Sequence, residues 1–235
     1  MINVVTFDVG GTLVDGRLDR VRYIKNFTTY IRSLGCEVTE SNCQRTIDEE
    51  TKKLMEIREK GLEMRFENFY SNVLTRLGVE PRNSYIERIR IIYCESFPQT
   101  EKTQMRALLK ELHGKFKLGI ISNSMSQVPK IFLEQNNLIR YFDAIVISGA
   151  VGFRKPNPRI FNYALERLNA DPCEAVHVGD SFEEDIVGAK NVGMKAIWIC
   201  EEKLIEKGAP QPDFIANSLT DVPRLIKAIS EKEAT

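Results

Sequence analysis

Four short stretches of this chain hold residue types able to do chemistry. The first is Phe7-Asp8-Val9-Gly10-Gly11-Thr12-Leu13, where a carboxylate ends an apolar run. An acidic group at the carboxyl end of a parallel strand lies where open α/β sheets bind ligands, although Asp followed by glycines also makes an ordinary turn. The second is Ile121-Ser122-Asn123-Ser124, whose hydroxyl and amide groups can bind an anion but are also common loop composition. The third is Gly152-Phe153-Arg154-Lys155-Pro156-Asn157-Pro158. Lys155, in a proline-held loop before a helix, can neutralise a phosphate as a point charge, or be a solvated surface lysine. The fourth, Val178-Gly179-Asp180-Ser181-Phe182-Glu183-Glu184-Asp185, offers one carboxylate at a strand end and another in the next helical turn. Those two can converge on a hard cation such as magnesium, which takes one or two carboxylates with waters and phosphate oxygens. Alternatively, Asp185 merely complements a helix dipole.

The elements that must position these groups are legible in the periodicity. Apolar runs rich in β-branched residues occur at 2–7, 117–121, 144–148, 175–178 and 195–199, with a weaker one at 213–216. Between them, Met105, Leu108, Leu109 and Leu112 follow helical spacing, as do Ile160, Phe161, Ala164, Leu165 and Leu168. Nearly continuous apolar strands alternating with helices predict a parallel sheet covered on both faces. Asn157-Pro158 and the capping-box spacing of Ser181 and Glu184 predict helix starts, while Gly35, Gly78, Gly114 and Gly193 predict helix ends. Residues 17–97 differ. Val21, Ile24, Phe27, Ile31 and Leu34 make one helical stripe; Phe66, Phe69, Tyr70, Val73, Leu74 and Leu77 make a second; Ile86, Ile89, Tyr93 and Phe97 make a third. The expected organisation is an α/β core of 1–16 and 98–235 with a helical domain of 17–97 inserted into it.

Composition narrows the classes. A chain of 235 residues suits one large domain or two unequal ones. Lys+Arg and Asp+Glu are both 33, which removes the usual electrostatic argument for a nucleic-acid or anionic-membrane partner. Five cysteines without a C-x-x-C pair suggest neither a disulfide framework nor a zinc ribbon. With no run of about 20 apolar residues and an acidic residue cutting the first apolar run short, a cytoplasmic location is expected.

Taken together, Asp, Ser, Lys and Asp…Asp appear in order, each at the end of a successive predicted strand. This resembles the four motifs of the haloacid dehalogenase superfamily of hydrolases. The resemblance covers the whole chain, with core motifs in 2–15 and 117–200 and a cap inserted after the first motif; the gap between Ser122 and Lys155 is too short for the alternative cap position. It implies a Rossmann-like parallel sheet core and phosphoryl transfer through a covalent aspartyl intermediate. In that scheme Asp8 is the nucleophile and a metal ligand. The Gly10 carbonyl and the Asp180 carboxylate also hold Mg²⁺, and Asp185 ligates it or positions its waters. Ser122 hydrogen-bonds the transferring phosphoryl group, helped by the backbone of Gly11 and Thr12 and the Asn123 side chain, while Lys155 offsets charge. The implied partner is a small phosphorylated metabolite, and the implied state a monomer or homodimer.

One departure stands out. Phosphatases of the superfamily usually carry a second Asp two residues after the nucleophile as general acid and base; here that position is Gly10, a candidate for positive φ. Loss of such a group typically costs about 10²–10⁴ in rate. Rival readings are a 2-haloacid dehalogenase or a phosphonate hydrolase of the same superfamily, a non-catalytic phosphate-ligand-binding protein, and a sugar-kinase-like phosphotransferase, whose first phosphate loop is similar to Asp-x-Gly-Gly-Thr. His177, inside a predicted strand, is expected to be a satisfied core histidine, and Glu183 is expected outside the site.

Overall fold

The computed structural model describes residues 1–200 and 210–233. These divide into two compact units, one of Met1–Asp15 with Thr100–Thr235 and one of Gly16–Gln99.

The first unit is built on β1 (Val4–Phe7), β4 (Lys117–Ser122), β5 (Ala144–Ile147), β6 (Ala175–Gly179), β7 (Lys195–Ile199) and β8 (Phe214–Ala216). Among the described residues they form one parallel sheet ordered β5-β4-β1-β6-β7-β8. Every residue of β1 is buried, as expected for a central strand with both faces covered. Alternation along the strands sorts side chains into two cores. Val5, Phe7, Ile120 and Val178 pack with Leu108, Leu109 and Leu112 of α5 (Met105–Leu112) and with Leu225 and Ile229 of α10 (Val222–Glu233). Val4, Ile121 and Val146 face the other way, onto Ile160, Phe161, Leu165 and Leu168 of α8 (Pro158–Leu168). Each such side chain stabilises the fold by roughly 1.5–3 kcal/mol. Register places the first strand's exit between two others: Phe7 lies opposite Ile120 and Val178, so the residues that follow β1, β4 and β6 emerge side by side.

Helix starts follow the expected chemistry. The Asn157 side chain accepts from the Arg159 N–H at 3.0 Å, and the Ser181 hydroxyl accepts from the Glu184 N–H at 3.3 Å. Between α5 and α8 lie α6 (Val128–Gln135) and the single turn α7 (Ser148–Val151), and the helix after Ser181 begins π-wound, over Phe182–Val187, before α9 (Gly188–Asn191). No helix among the described residues is long and apolar enough to cross a membrane.

The second unit comprises α1 (Arg20–Ser33), α2 (Glu40–Arg58), α3 (Phe66–Arg76) and α4 (Asn83–Glu95). Its core is aromatic, with Tyr23, Phe27, Phe66, Phe69 and Tyr70 buried and a 2.7 Å hydrogen bond between the Tyr23 and Tyr70 hydroxyls. The buried stripe of α1 is Tyr23, Ile24, Phe27, Thr28 and Ile31, whereas Val21 is 82% exposed. Ile24, Phe27 and Ile31 lie in the expected stripe, but Val21 does not join it, and Tyr23 does, burying its ring and hydrogen-bonding its tip. A ribbon of β2 (Val14–Gly16) and β3 (Gln99–Glu101) lies where the chain leaves the first unit and returns to it. Strands of three residues carry no readable periodicity, and the ribbon was not expected.

Candidate active site

Asp8 follows β1, is 7% exposed, and donates its N–H to the Val178 carbonyl at 2.9 Å. The chain then closes a tight loop. The N–H groups of Leu13 and Val14 donate to the Val9 carbonyl at 2.9 and 2.8 Å, and the Gly11 N–H donates to the Val14 carbonyl at 2.8 Å. Those of Val9, Gly10 and Thr12 have no partner among the described residues. Unpaired backbone donors in a tight loop at a strand end are a recurrent anion-binding device. The left-handed position is Gly11, at φ +86°, where a Cβ would lie 2.2 Å from Asp180 Oδ2. Gly10 is outside the positive-φ region and a Cβ there would meet nothing within 4 Å, so the positive φ considered for Gly10 belongs to its neighbour.

The second predicted group, Ser122, ends β4 and is buried. Asn123 beside it uses both ends of its amide on Lys155: Nδ2 donates to the Lys155 carbonyl at 3.0 Å, and Oδ1 accepts from the Lys155 N–H at 2.8 Å. This strap ties the proline-held loop to the end of β4. Lys155 itself is 1% exposed, far from a solvated surface lysine, and its Nζ donates to Asp8 Oδ1 at 2.7 Å and to Asp185 Oδ1 at 2.6 Å.

The fourth stretch completes the cluster. Asp180 is exposed, accepts from the Thr12 hydroxyl at 3.1 Å, and has its carbonyl held by Trp198 Nε1–H at 2.8 Å. Asp185 is buried and accepts from the Ser181 N–H at 2.9 Å, from Lys155, and at 3.2 Å from His177 Nε2. His177 in turn bonds the Thr6 hydroxyl at 2.9 Å, so it is a satisfied core histidine that also braces Asp185. Glu183 is exposed and outside the cluster, and Glu184 pairs with Arg154 at 2.7 Å. The bracing roles of Thr6, His177 and Trp198 carried no sequence signal, since each reads as an ordinary core residue.

One oxygen each of Asp8, Asp180 and Asp185 lies within 4.8 Å of the others. Burial raises the Asp8 pKa to about 7, with Asp185 adding to the rise and Lys155 opposing it. Burial and the charge of Asp185 also raise Asp180. For Asp185 the burial penalty is outweighed by Lys155 and His177, which hold it below the usual carboxylate range. Lys155 is likewise penalised by burial but held above its ordinary value by Asp185 and Asp8. Three carboxylates against one ammonium leave uncompensated negative charge among oxygen donors only, which fits a hard divalent cation. The arrangement combines a buried carboxylate, a set of oxygen donors close enough to share one cation, and a loop of free N–H groups.

A sequence profile described as haloacid dehalogenase-like hydrolase matches residues 5–199. Across its whole length the chain is 31% identical to a glyceraldehyde 3-phosphate phosphatase of Pyrococcus furiosus, covering 95% of that protein. Over 155 residues, 64% of this chain and 66% of the relative, it is 35% identical to pyrimidine 5'-nucleotidase YjjG of Escherichia coli. Among solved structures, a HAD phosphatase from Thermococcus onnurineus is similar over 96% of this chain and 98% of that one, at a TM-score of 0.65 and 23% identity. A 2-haloacid dehalogenase from Pseudomonas syringae is similar over 97% and 99% respectively, at 0.71 and 23% identity. The structural likenesses are likenesses of fold, whereas the sequence matches reach the motif-bearing core. The chain belongs to the haloacid dehalogenase-like hydrolase family.

Proposed function

We propose that this protein is a Mg²⁺-dependent phosphatase of small phosphorylated metabolites, working through an aspartyl-phosphate on Asp8. The observation that carries the reading is the cluster of Asp8, Asp180 and Asp185 around the buried Lys155 ammonium. Asp8, the Gly10 carbonyl and Asp180 would hold the ion, with Asp185 as a further ligand or an orienter of its waters. When bound, Mg²⁺ supplies the charge neutralisation that lets a carboxylate meet a phosphate dianion. Asp8 attacks phosphorus with a carboxylate oxygen while the ester oxygen departs with its electron pair and takes a proton from solvent or substrate. Water then attacks phosphorus, releasing inorganic phosphate and restoring Asp8. Lys155 offsets charge on Asp8 and on the phosphoryl group, the Ser122 hydroxyl donates to a phosphoryl oxygen, and Asn123 supports both by holding the Lys155 loop. The free N–H groups of Val9, Gly10 and Thr12 take the remaining oxygens, whereas the Gly11 N–H, expected to help, is already given to the Val14 carbonyl. In this reading the helical unit Gly16–Gln99 serves as the cap.

A metal-free dehalogenase would leave the excess charge of three carboxylates unanswered, so that reading is not favoured. The relatives' names suggest where to look first: triose phosphates, then nucleoside monophosphates and sugar phosphates. The test is phosphate release across such a panel, with Mg²⁺ and with excess chelator. Turnover that vanishes with chelator and returns with Mg²⁺ is expected; undiminished turnover in chelator, or none on any phosphate ester, would defeat the proposal.

A further inference from the structure

We infer that Lys102 is a positioning residue for the phosphoryl-binding loop, acting through the Gly11–Thr12 peptide; the inference rests on the phosphatase reading. Lys102 immediately follows β3 and holds the loop after Asp8 through several contacts. Its N–H donates to the Leu13 carbonyl at 2.9 Å, its ammonium donates to the Gly11 carbonyl, and the same ammonium lies 3.7 Å from the Asp15 carboxylate.

The Gly11 carbonyl is the contact that matters. Among the described residues no group other than Lys102 bonds to either polar end of the Gly11–Thr12 peptide. Gly11 sits at positive φ, whereas the β-branched Thr12 that follows the peptide does not, so the backbone favours the orientation that Lys102 holds. In a trans peptide the C=O and N–H point in opposite directions. An ammonium on the Gly11 carbonyl therefore directs the Thr12 N–H away from Lys102, and by polarising the amide it makes that N–H a stronger donor. Lys102 thus holds and strengthens one donor of the loop without being one of the reacting groups.

The test is titration of inorganic phosphate into the full-length protein at saturating Mg²⁺, followed by calorimetry, for wild type, Lys102→Met and Lys102→Arg. Lys102→Met keeps the apolar stem but loses charge and donor; its phosphate Kd should rise about tenfold, a change of about 1.4 kcal/mol. Lys102→Arg restores a cationic donor and should recover most of the affinity, which a merely structural contact would not require. The melting midpoint without phosphate should stay within a few degrees of wild type in both. Wild-type phosphate affinity in folded Lys102→Met overturns the inference. If that variant does not fold, Lys102→Gln, which keeps a neutral donor, takes its place, with weakening expected and wild-type affinity again decisive against. Failure of the wild type to bind phosphate would instead overturn the phosphatase reading itself.

Discussion

Burial of Asp8, with Asp185 and Asp180 nearby, outweighs the help that Lys155 gives its ionised form, and that has consequences in the metal-free protein. Asp8 has a folded pKa of about 7 against an ordinary 3.8, so the folded state holds its proton more tightly than the unfolded one. Ionising it costs stability progressively as pH rises from about 4 to 7, and the cost is complete above that. Asp8→Asn should therefore abolish phosphate release yet, in chelator at pH 8, be more stable than wild type by on the order of 2 kcal/mol. The gain should shrink towards pH 4; matched thermal melts at the two pH values check it, and equal stability at pH 8 would show that Asp8 bears no such strain. Gly10 gives the second test at this scale. With no acid at that position, aryl and acyl phosphates, whose leaving groups need little protonation, should turn over faster than alkyl phosphates. Because the position has no positive φ and open space for a side chain, Gly10→Asp should fold and raise alkyl-phosphate turnover by about 10–100-fold. An unchanged ratio of alkyl to aryl kcat in the folded variant would mean that another group supplies the proton.

At the scale of elements, parallel register is what gathers the cluster. β1, β4 and β6 pair so that Asp8, Ser122 and Asp180 leave neighbouring strand ends, and the helix after β6 returns Asp185 to the same place. That return requires close approach: a Cβ on Gly179 would lie 2.3 Å from the Asp185 carboxyl carbon. Gly179→Ala should push Asp185 from its bonds with Lys155 and Ser181, cost about 1–3 kcal/mol of stability, and weaken Mg²⁺ binding at least tenfold. Calorimetric Mg²⁺ titration decides; wild-type affinity would show that Asp185 can shift without affecting the ion.

For the whole molecule, all the carboxylates of the cluster belong to the first unit, and so does Trp198, the chain's one tryptophan, bonded to the Asp180 carbonyl. At a hundred times its Kd, Mg²⁺ should stabilise that unit by about 2.7 kcal/mol. At about 2–4 °C per kcal/mol, the Trp198 fluorescence midpoint should rise by roughly 5–10 °C. An unmoved midpoint would argue against the cation site. The sequence by itself determined the layered α/β core, the helical character of its early segment and the residue types in the four motif stretches. Those features rest on periodicity and on residue type, which are local properties of a chain. It did not reveal that Lys155 is buried between two carboxylates, that Asn123 spends its amide on the Lys155 backbone, or that Gly11 and not Gly10 takes the left-handed turn. Nor did it single out Lys102 or the brace of Thr6 and His177 behind Asp185. Those depend on which atoms meet across strands and loops far apart in the chain: side-chain partners, the sign of φ and the loss of water are settled only when the sheet brings the strand ends together.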